Sequence, residues 1–217
     1  MGPQLMNLLI IALWETLFMV GVSLLFCTLI GIPLGVLLVI TRPGHIYPNH
    51  FLQFILSTII NIGRSLPFII LLVAIIPFTR WLVGTSIGIP GAIVPLTIGA
   101  IPFLARLVES ALLEVDKGLI EASFSLNATT WQTINKVLIR ESRSGLILGI
   151  TITAVSLISY SAMAGAVGGG GLGDLAIRFG YQRFQPDIML ATVIVLILLV
   201  QIVQSLGEWT AKRLDHR

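Results

Sequence analysis

Charge is scarce in this sequence. Asp, Glu, Lys and Arg make up 11% of its 217 residues, hydrophobic residues make up 56%, and the mean hydropathy is +0.99. A soluble domain carries roughly 25% charge. Such a chain cannot clothe a water-facing surface, which excludes a soluble monomer, and it is far too apolar to be disordered. Cysteine occurs once, at Cys27 in an apolar stretch, so a disulfide scaffold is excluded and simple packing is expected there. No GxxxxGK[ST] phosphate loop is present, so ATP hydrolysis is not expected of this chain. His45, His50 and His216 fall near expected membrane edges, and without an HExxH motif or paired Cys/His spacing they predict no metal site. Residues 1–13 lack Lys and Arg, and no small-residue cleavage site follows, so a signal peptide is not expected.

Long charge-free stretches are what the sequence has instead. They cover residues 16–41, 43–63, 65–79, 81–105, 144–173 and 188–207. A membrane helix needs about 20 mostly apolar residues. The pattern predicts five spans at roughly 17–40, 55–78, 87–108, 146–167 and 188–206. Asn61, Arg64 and Pro67 interrupt the second, which can also start near Leu66 or open with an interfacial segment at 51–58. With the C-terminus inside, the inner loops carry eight basic residues: Arg42, Lys117, Lys136, Arg140, Arg143, Lys212, Arg213 and Arg217. The outer loops carry three, Arg80, Arg178 and Arg183, which favours N-out, C-in by the positive-inside rule. Gly31/Gly35, Gly145/Gly149 and Gly165/Gly169 are small-xxx-small pairs that permit close helix contact, within one subunit or at a dimer seam.

Between the third and fourth spans lies a polar insert. Residues 106–143 hold ten charges, five of each sign. That balance argues against a nucleic-acid or lipid patch and suits an element that docks on a protein. Asp116 is the candidate N-cap for a helix from about Lys117 to Leu126, with Leu119, Ala122, Ser123 and Leu126 on one face whose centre is small. Asn127 tolerates the left-handed turn that ends a helix. Thr129 and Gln132 have capping-box spacing for a second helix, striped by Trp131, Ile134, Val137 and Leu138. From amphipathicity alone, a hairpin lying on the membrane surface is the alternative.

Glu121-Ala122-Ser123, three residues, Asn127, and later Val137-Leu138-Ile139-Arg140 resemble the EAA motif of bacterial ABC importer permeases. That motif reads Glu-Ala-Ala, three residues, Gly, nine residues, Ile, one residue, Leu-Pro. Asn127 stands for the glycine, and Ile139-Arg140 replaces Leu-Pro. Trp14-Glu15-Thr16-Leu17, GIPLGVLLVITRPG at 31–44, RSLPFIILLVAIIPFTR at 64–80, VGTSIG at 83–88 and YSAMAGAVGGGGLGDLAIRFGY at 160–181 look like the methionine-uptake members of that group.

The resemblance implies an all-α integral membrane protein of the type I ABC importer permease fold. It would have five transmembrane helices and a coupling-helix insert at about 116–139, in a membrane-spanning domain at 13–205 with a cytoplasmic tail at 206–217. It implies a multi-pass inner-membrane protein among lipid, forming a homodimer with the pathway between subunits. It also implies a separate cytoplasmic ATPase dimer that binds ATP and Mg, and an extracytoplasmic substrate-binding lipoprotein. No nucleic acid and no cofactor of this chain's own are implied. Leu119, Glu121, Ala122, Ser123, Leu126, Asn127 and Ala128 are the expected ATPase-coupling residues.

Other motifs are weaker. Residues 168–173 satisfy G-x-G-x-x-G, but they follow a membrane span rather than a strand, so loop flexibility or close packing explains them better than a dinucleotide site. Gly171-Leu172-Gly173-Asp174 resembles the GxGD motif of intramembrane aspartyl proteases, which need a second carboxylate close by. Asp116, Asp187 and Asp215 are the candidates, and none lies in a span. Arg64 and Arg106 fall within or beside spans, where charge is costly. Snorkelling to the inner surface is the expected disposition, with Arg106 able to pair with Glu109 one turn on. Glu15 is expected to reach the outer interface. For a substrate pathway, Ser159, Tyr160, Ser161 and Met163 give the fourth span mixed polarity suited to a zwitterion with a thioether, although serines on membrane helices commonly bond their own backbone.

Overall fold

The structure, a computed structural model, describes residues 3–214, and every regular element among them is helical. Met1, Gly2, Asp215, His216 and Arg217 lie outside the described residues. In chain order the helices that build the membrane-spanning body are α1 (Pro3–Ile40), α2 (His50–Ser65), α3 (Phe68–Ala74), α4 (Ile76–Val83) and α5 (Gly88–Leu113). The insert holds α6 (Lys117–Ser125), α7 (Thr130–Thr133) and α8 (Ile139–Glu141), and the chain closes with α9 (Arg143–Ala166), α10 (Gly171–Leu175) and α11 (Pro186–Leu214). Four of these, α1, α5, α9 and α11, are each long and apolar enough to cross a membrane. α1 starts well before residue 17, because its first turns carry no charge that would stop an apolar helix. At the other end, α11 continues to Leu214. The segment expected as a tail from residue 206 is therefore mostly helix, with Lys212 and Arg213 in its last turn, where the helix dipole favours cations.

The expected second span is not one helix. It is divided among α2, α3 and α4, with α2 and α3 bent by 101°. Pro67 explains the break. It has no N–H to donate, and it pushes Leu66 into extended backbone at φ −83°, ψ 125°. α2 opens on an Asn49 cap, whose Oδ1 accepts the Leu52 N–H at 3.0 Å.

α5 is the central post, with α1, α2 and α9 against it, and its buried residues Leu96, Ala100, Leu104 and Val108 run through the main core. Small residues set these approaches. A Cβ on Gly35 would lie 2.5 Å from Val108, one on Gly145 would lie 2.9 Å from Ala111, and one on Gly165 would collide with the Asp174 nitrogen. The small-xxx-small pairs therefore pack within the chain. Beyond α9, the chain turns sharply through Gly168, Gly170 and Gly171, all at positive φ, into the short α10. This run of glycines serves close backbone packing, with a helix rather than a strand before it.

Candidate functional site

The insert between α5 and α9 is a compact helical hairpin. Asp116 caps α6, its Oδ1 accepting the Gly118 N–H at 2.6 Å. α6 ends in a paired turn: the Asn127 N–H donates to the Phe124 carbonyl at 2.9 Å and the Ala128 N–H to the Ser123 carbonyl at 3.0 Å. Asn127 takes the left-handed conformation, φ +56°, that closes this motif. The expected capping box then opens the second helix. Gln132 N–H donates to Thr129 Oγ1 at 3.3 Å, and Thr129 N–H donates to Gln132 Oε1 at 2.9 Å. That helix is α7, a wider turn at Ile134–Leu138, and α8.

The two faces of the hairpin divide differently from expectation. Ser123 does not sit on the outer face with Leu119, Ala122 and Leu126. It is buried, donating to the Ile120 carbonyl at 2.8 Å and lying 3.0 Å from the buried Thr133 hydroxyl. Adjacent positions on a helix are about 100° apart, so Ser123 falls toward the inner side while Ala122 stays out. Ile120, Ile134 and Leu138 join Val115 in the main core. Trp131 is exposed and does not belong to the buried stripe of its helix. What remains open is a patch of Leu119, Glu121, Ala122 and Leu126, the last 83% exposed, ending at Asn127 and the half-buried Ala128.

A buried ion cluster supports the hairpin's base. Glu109, 3% exposed, meets Arg42 Nη2 at 3.2 Å and Arg106 Nη1 on its other oxygen. Arg106 also donates to Ser57 Oγ and to Asn61 Oδ1, both at 2.7 Å. Arg106 thus turns into the protein instead of snorkelling, and the cluster joins α2 and α5 to the end of α1. Nearby, His45 lines a cavity of about 190 Å³ with Lys117, Ile120 and Phe124. Burial pulls its pKa below the ordinary histidine range, and Lys117 and Arg42 add to this.

The four residues expected on a pathway do not share one cavity. Ser159 and Met163, one turn apart, line an open cavity of about 650 Å³ with Leu196, Val200 and Gln201 of α11. Tyr160 lines a different cavity and stacks on Phe68, ring centroids 4.6 Å apart and planes 6° from parallel. Ser161 is buried and donates to its own helix at the Ile158 carbonyl, 2.7 Å away. Ser159 also bonds its own backbone, at Val155.

At the far end from the insert, Glu15 of α1 turns inward rather than to an interface. Its Oε2 accepts the Gly171 N–H at 2.7 Å, and Thr16 Oγ1 accepts the Leu172 N–H at 2.9 Å. These two side chains satisfy the opening amides of α10, which have no partner within their own helix. The contact joins positions too far apart in sequence for any local pattern to announce it. Asp174, the residue a protease reading would need, is ion-paired with Arg178 one turn on.

Comparison with known proteins gives this geometry a family. Residues 31–216 match the family described as binding-protein-dependent transport system inner membrane component. The probable D-methionine transport system permease protein MetI of Vibrio cholerae is 54% identical over 97% of this chain and 94% of its own length. The D-methionine transport system permease protein MetI of Escherichia coli is 56% identical over 76% of each chain. A chain from inward-facing structures of the MetNI methionine ABC transporter superposes with TM-score 0.98 at 50% identity, covering both chains completely. An amino acid ABC transporter crystallised with histidines shares the fold at TM-score 0.79 and 17% identity, over 96% of this chain and 94% of its own. The chain belongs to the binding-protein-dependent ABC importer permeases, as a multi-pass inner-membrane subunit of all-helical type I fold.

Proposed function

We propose that this chain is the permease subunit of an ATP-driven methionine importer. Two copies assemble around one pathway, and each presents its insert to one subunit of a cytoplasmic ATPase dimer. ATP and Mg bind in that ATPase, and an extracytoplasmic lipoprotein delivers the substrate. The bent α2–α3 pair completes a five-span domain over 13–205. The chain runs N-out, C-in, which puts the insert and the end of α11 in the cytoplasm. Lipid covers the apolar outer faces of α1 and α11, where Ile10, Ile11, Trp14, Ile197, Leu198 and Ile202 stand exposed.

The substrate assignment rests on one observation above the rest: half of all positions are identical to a methionine transporter permease over the full length of both chains. The coupling role is supported by the open patch at Leu119, Glu121, Ala122 and Leu126, whose small centre admits close approach to a cleft. The patch stands on a hairpin fixed by two caps, the Ser123–Thr133 contact and the core beneath, so it moves with the spans as a unit. Substrate passes along α9, where Ser159, Tyr160 and Met163 are accessible; Ser161 shapes that helix from inside.

Uptake of labelled L-methionine at low concentration tests the reading, in cells stripped of other methionine carriers. Deletion of this gene removes an ATP-dependent component. Unchanged uptake, with the ATPase still co-purifying, refutes the substrate while leaving the permease class in place.

A further inference from the structure

Arg64 stands apart from the other charged side chains in the membrane-spanning region. Arg106 is held by Glu109, Ser57 and Asn61. Arg64 has no hydrogen-bond, ion-pair or ring partner among the described residues. Its depth follows from its neighbour. A Cβ on Gly63 would lie 2.8 Å from Pro102 Cγ, so this part of α2 runs beside the middle of α5. At about 1.5 Å per residue, Pro102 is roughly 21 Å from one end of α5 and roughly 17 Å from the other. Arg64 therefore lies near the centre of a hydrocarbon core about 30 Å thick. A cation at such a depth, without a partner among the described residues of its own chain, marks a candidate site for something that pairs with it.

A cavity of about 240 Å³ opens beside it, lined by Arg64, Leu66, Phe68, Gly99, Phe103 and Tyr160 among others. The volume is below the roughly 300–1,000 Å³ of drug-sized pockets and suits a small solute. Phe68 and Tyr160, stacked in parallel, make an aromatic wall. Gly99 keeps the space open, because a Cβ there would lie 3.1 Å from Leu71 Cδ2 and 3.4 Å from Phe68 Cδ2. The Tyr160 hydroxyl has no hydrogen-bond partner among the described residues. The 101° bend at Pro67 opens this corner, because α3 turns away from α2 just past Arg64.

We propose that Arg64 and the adjoining Phe68–Tyr160 cavity form a midplane site for the α-carboxylate of the transported amino acid. The guanidinium offers paired N–H donors that match a carboxylate, and the Tyr160 hydroxyl offers one more. The aromatic wall accepts an ammonium group or an apolar side chain. The site reads the carboxylate that all amino acids share, so it contributes passage rather than discrimination of methionine. It rests on the reading that the cargo is an amino acid.

The test uses the assembled permease–ATPase complex and a thiol reporter. Cys27 is the chain's one cysteine and is fully buried, so a cysteine placed at Leu66, 45% exposed on the cavity rim, is the accessible thiol of this subunit. Phe103→Cys is a second reporter should Leu66→Cys fail to assemble. The rate of labelling by a methanethiosulfonate reagent is read with L-methionine and with L-methioninol, which lacks the carboxylate. L-Methionine slows labelling, and L-methioninol needs at least about tenfold higher concentration for the same effect, the scale of one lost hydrogen bond to a charged group. Arg64→Gln abolishes the protection and Arg64→Lys keeps part of it. Equal protection by L-methioninol, or protection that survives Arg64→Gln, overturns the proposal. Arg64-dependent protection by another amino acid but not by methionine keeps the carboxylate site and refutes the methionine reading. No protection by any amino acid overturns the site.

Discussion

Replacing Glu109 with alanine removes one carboxylate and leaves two guanidinium groups beside each other at the base of the insert. The two pairs differ in weight. Arg42 is 37% exposed and meets Glu109 at 3.2 Å, so it can swing to solvent when the carboxylate is gone. A pair so open contributes about 0–1 kcal/mol. Arg106 is 19% exposed and Glu109 is 5% exposed in its side chain, so this pair is largely withdrawn from water. Removing one partner of a buried pair costs about 3–5 kcal/mol. Arg106 keeps Ser57 and Asn61, which places its loss at the lower end. Glu109→Ala is expected to cost about 3 kcal/mol, and Arg42→Ala no more than about 1 kcal/mol. A chain of this size loses about 2–4 °C in Tm per kcal/mol, so the melts fall by about 6–12 °C and by no more than about 4 °C. The four tryptophans give an intrinsic fluorescence signal for unfolding of the detergent-purified permease. A Glu109→Ala protein melting within about 2 °C of the parent would refute the cluster's structural role. Equal losses for Arg42→Ala and Glu109→Ala would refute the ranking of the two pairs.

Three further outcomes follow from other parts of the chain. Ala122→Glu places a charge at the centre of the open patch, where docking would bury it; the complex loses stimulated ATP hydrolysis while the permease alone melts as the parent does, and retained stimulation would count against coupling there. Gly171→Ala is strained at φ +78° and sets its Cβ 2.6 Å from Thr16 Oγ1. It lowers Tm by the equivalent of about 2 kcal/mol or more, whereas Gly21→Ala meets nothing within 4 Å and leaves Tm unchanged or raised; equal melts for the two variants would refute the close approach at α10. His45 has its folded pKa depressed by burial, Lys117 and Arg42, so the unfolded chain binds a proton more readily. Its contribution is intact above the ordinary histidine pKa of about 6.5 and lost as pH falls toward the folded value. Melts recorded between about pH 8 and about pH 5 should lose part of their acid-side slope in His45→Gln, and an unchanged slope would remove His45 as its source.

The local signals in the sequence carried far. Asp116, Asn127, Thr129 and Gln132 act within one or two turns of themselves, so residue type and spacing sufficed to place the hairpin. Hydropathy located the long helices for the same reason, since a charge-free run is a local property. Two kinds of feature escaped. The first is facing. Ser123 shares helical spacing with the face of Leu119 and Leu126, but it lies at the edge of that face, about 100° from Ala122, and which side of that edge is covered depends on the second helix, where Thr133 meets it. The second is distance along the chain. Glu15 with Gly171, Arg42 with Glu109, and Phe68 with Tyr160 are set by tertiary packing alone. Pro67 did announce the break in the second span, but not its 101° angle, which depends on how α3 lies on α5 and α9.

One helix connects the insert, the ion cluster and the midplane cavity. α5 ends three residues before α6 begins, carries Glu109 and Arg106 one turn apart, and gives Gly99 and Phe103 to the cavity beside Arg64. The insert is packed onto α5, because Ile120, Ile134 and Leu138 share a core with Leu112 and Val115. Along α5 the pliant points are Pro95 and Pro102, where the proline ring removes a helix hydrogen bond. Pro102 is also the residue against which Gly63 packs, next to Arg64. A bend at Pro102 changes the approach of α2 and with it the width of the cavity. The same helix thus touches both the insert and the cavity beside Arg64, so that a change in its curvature bears on both.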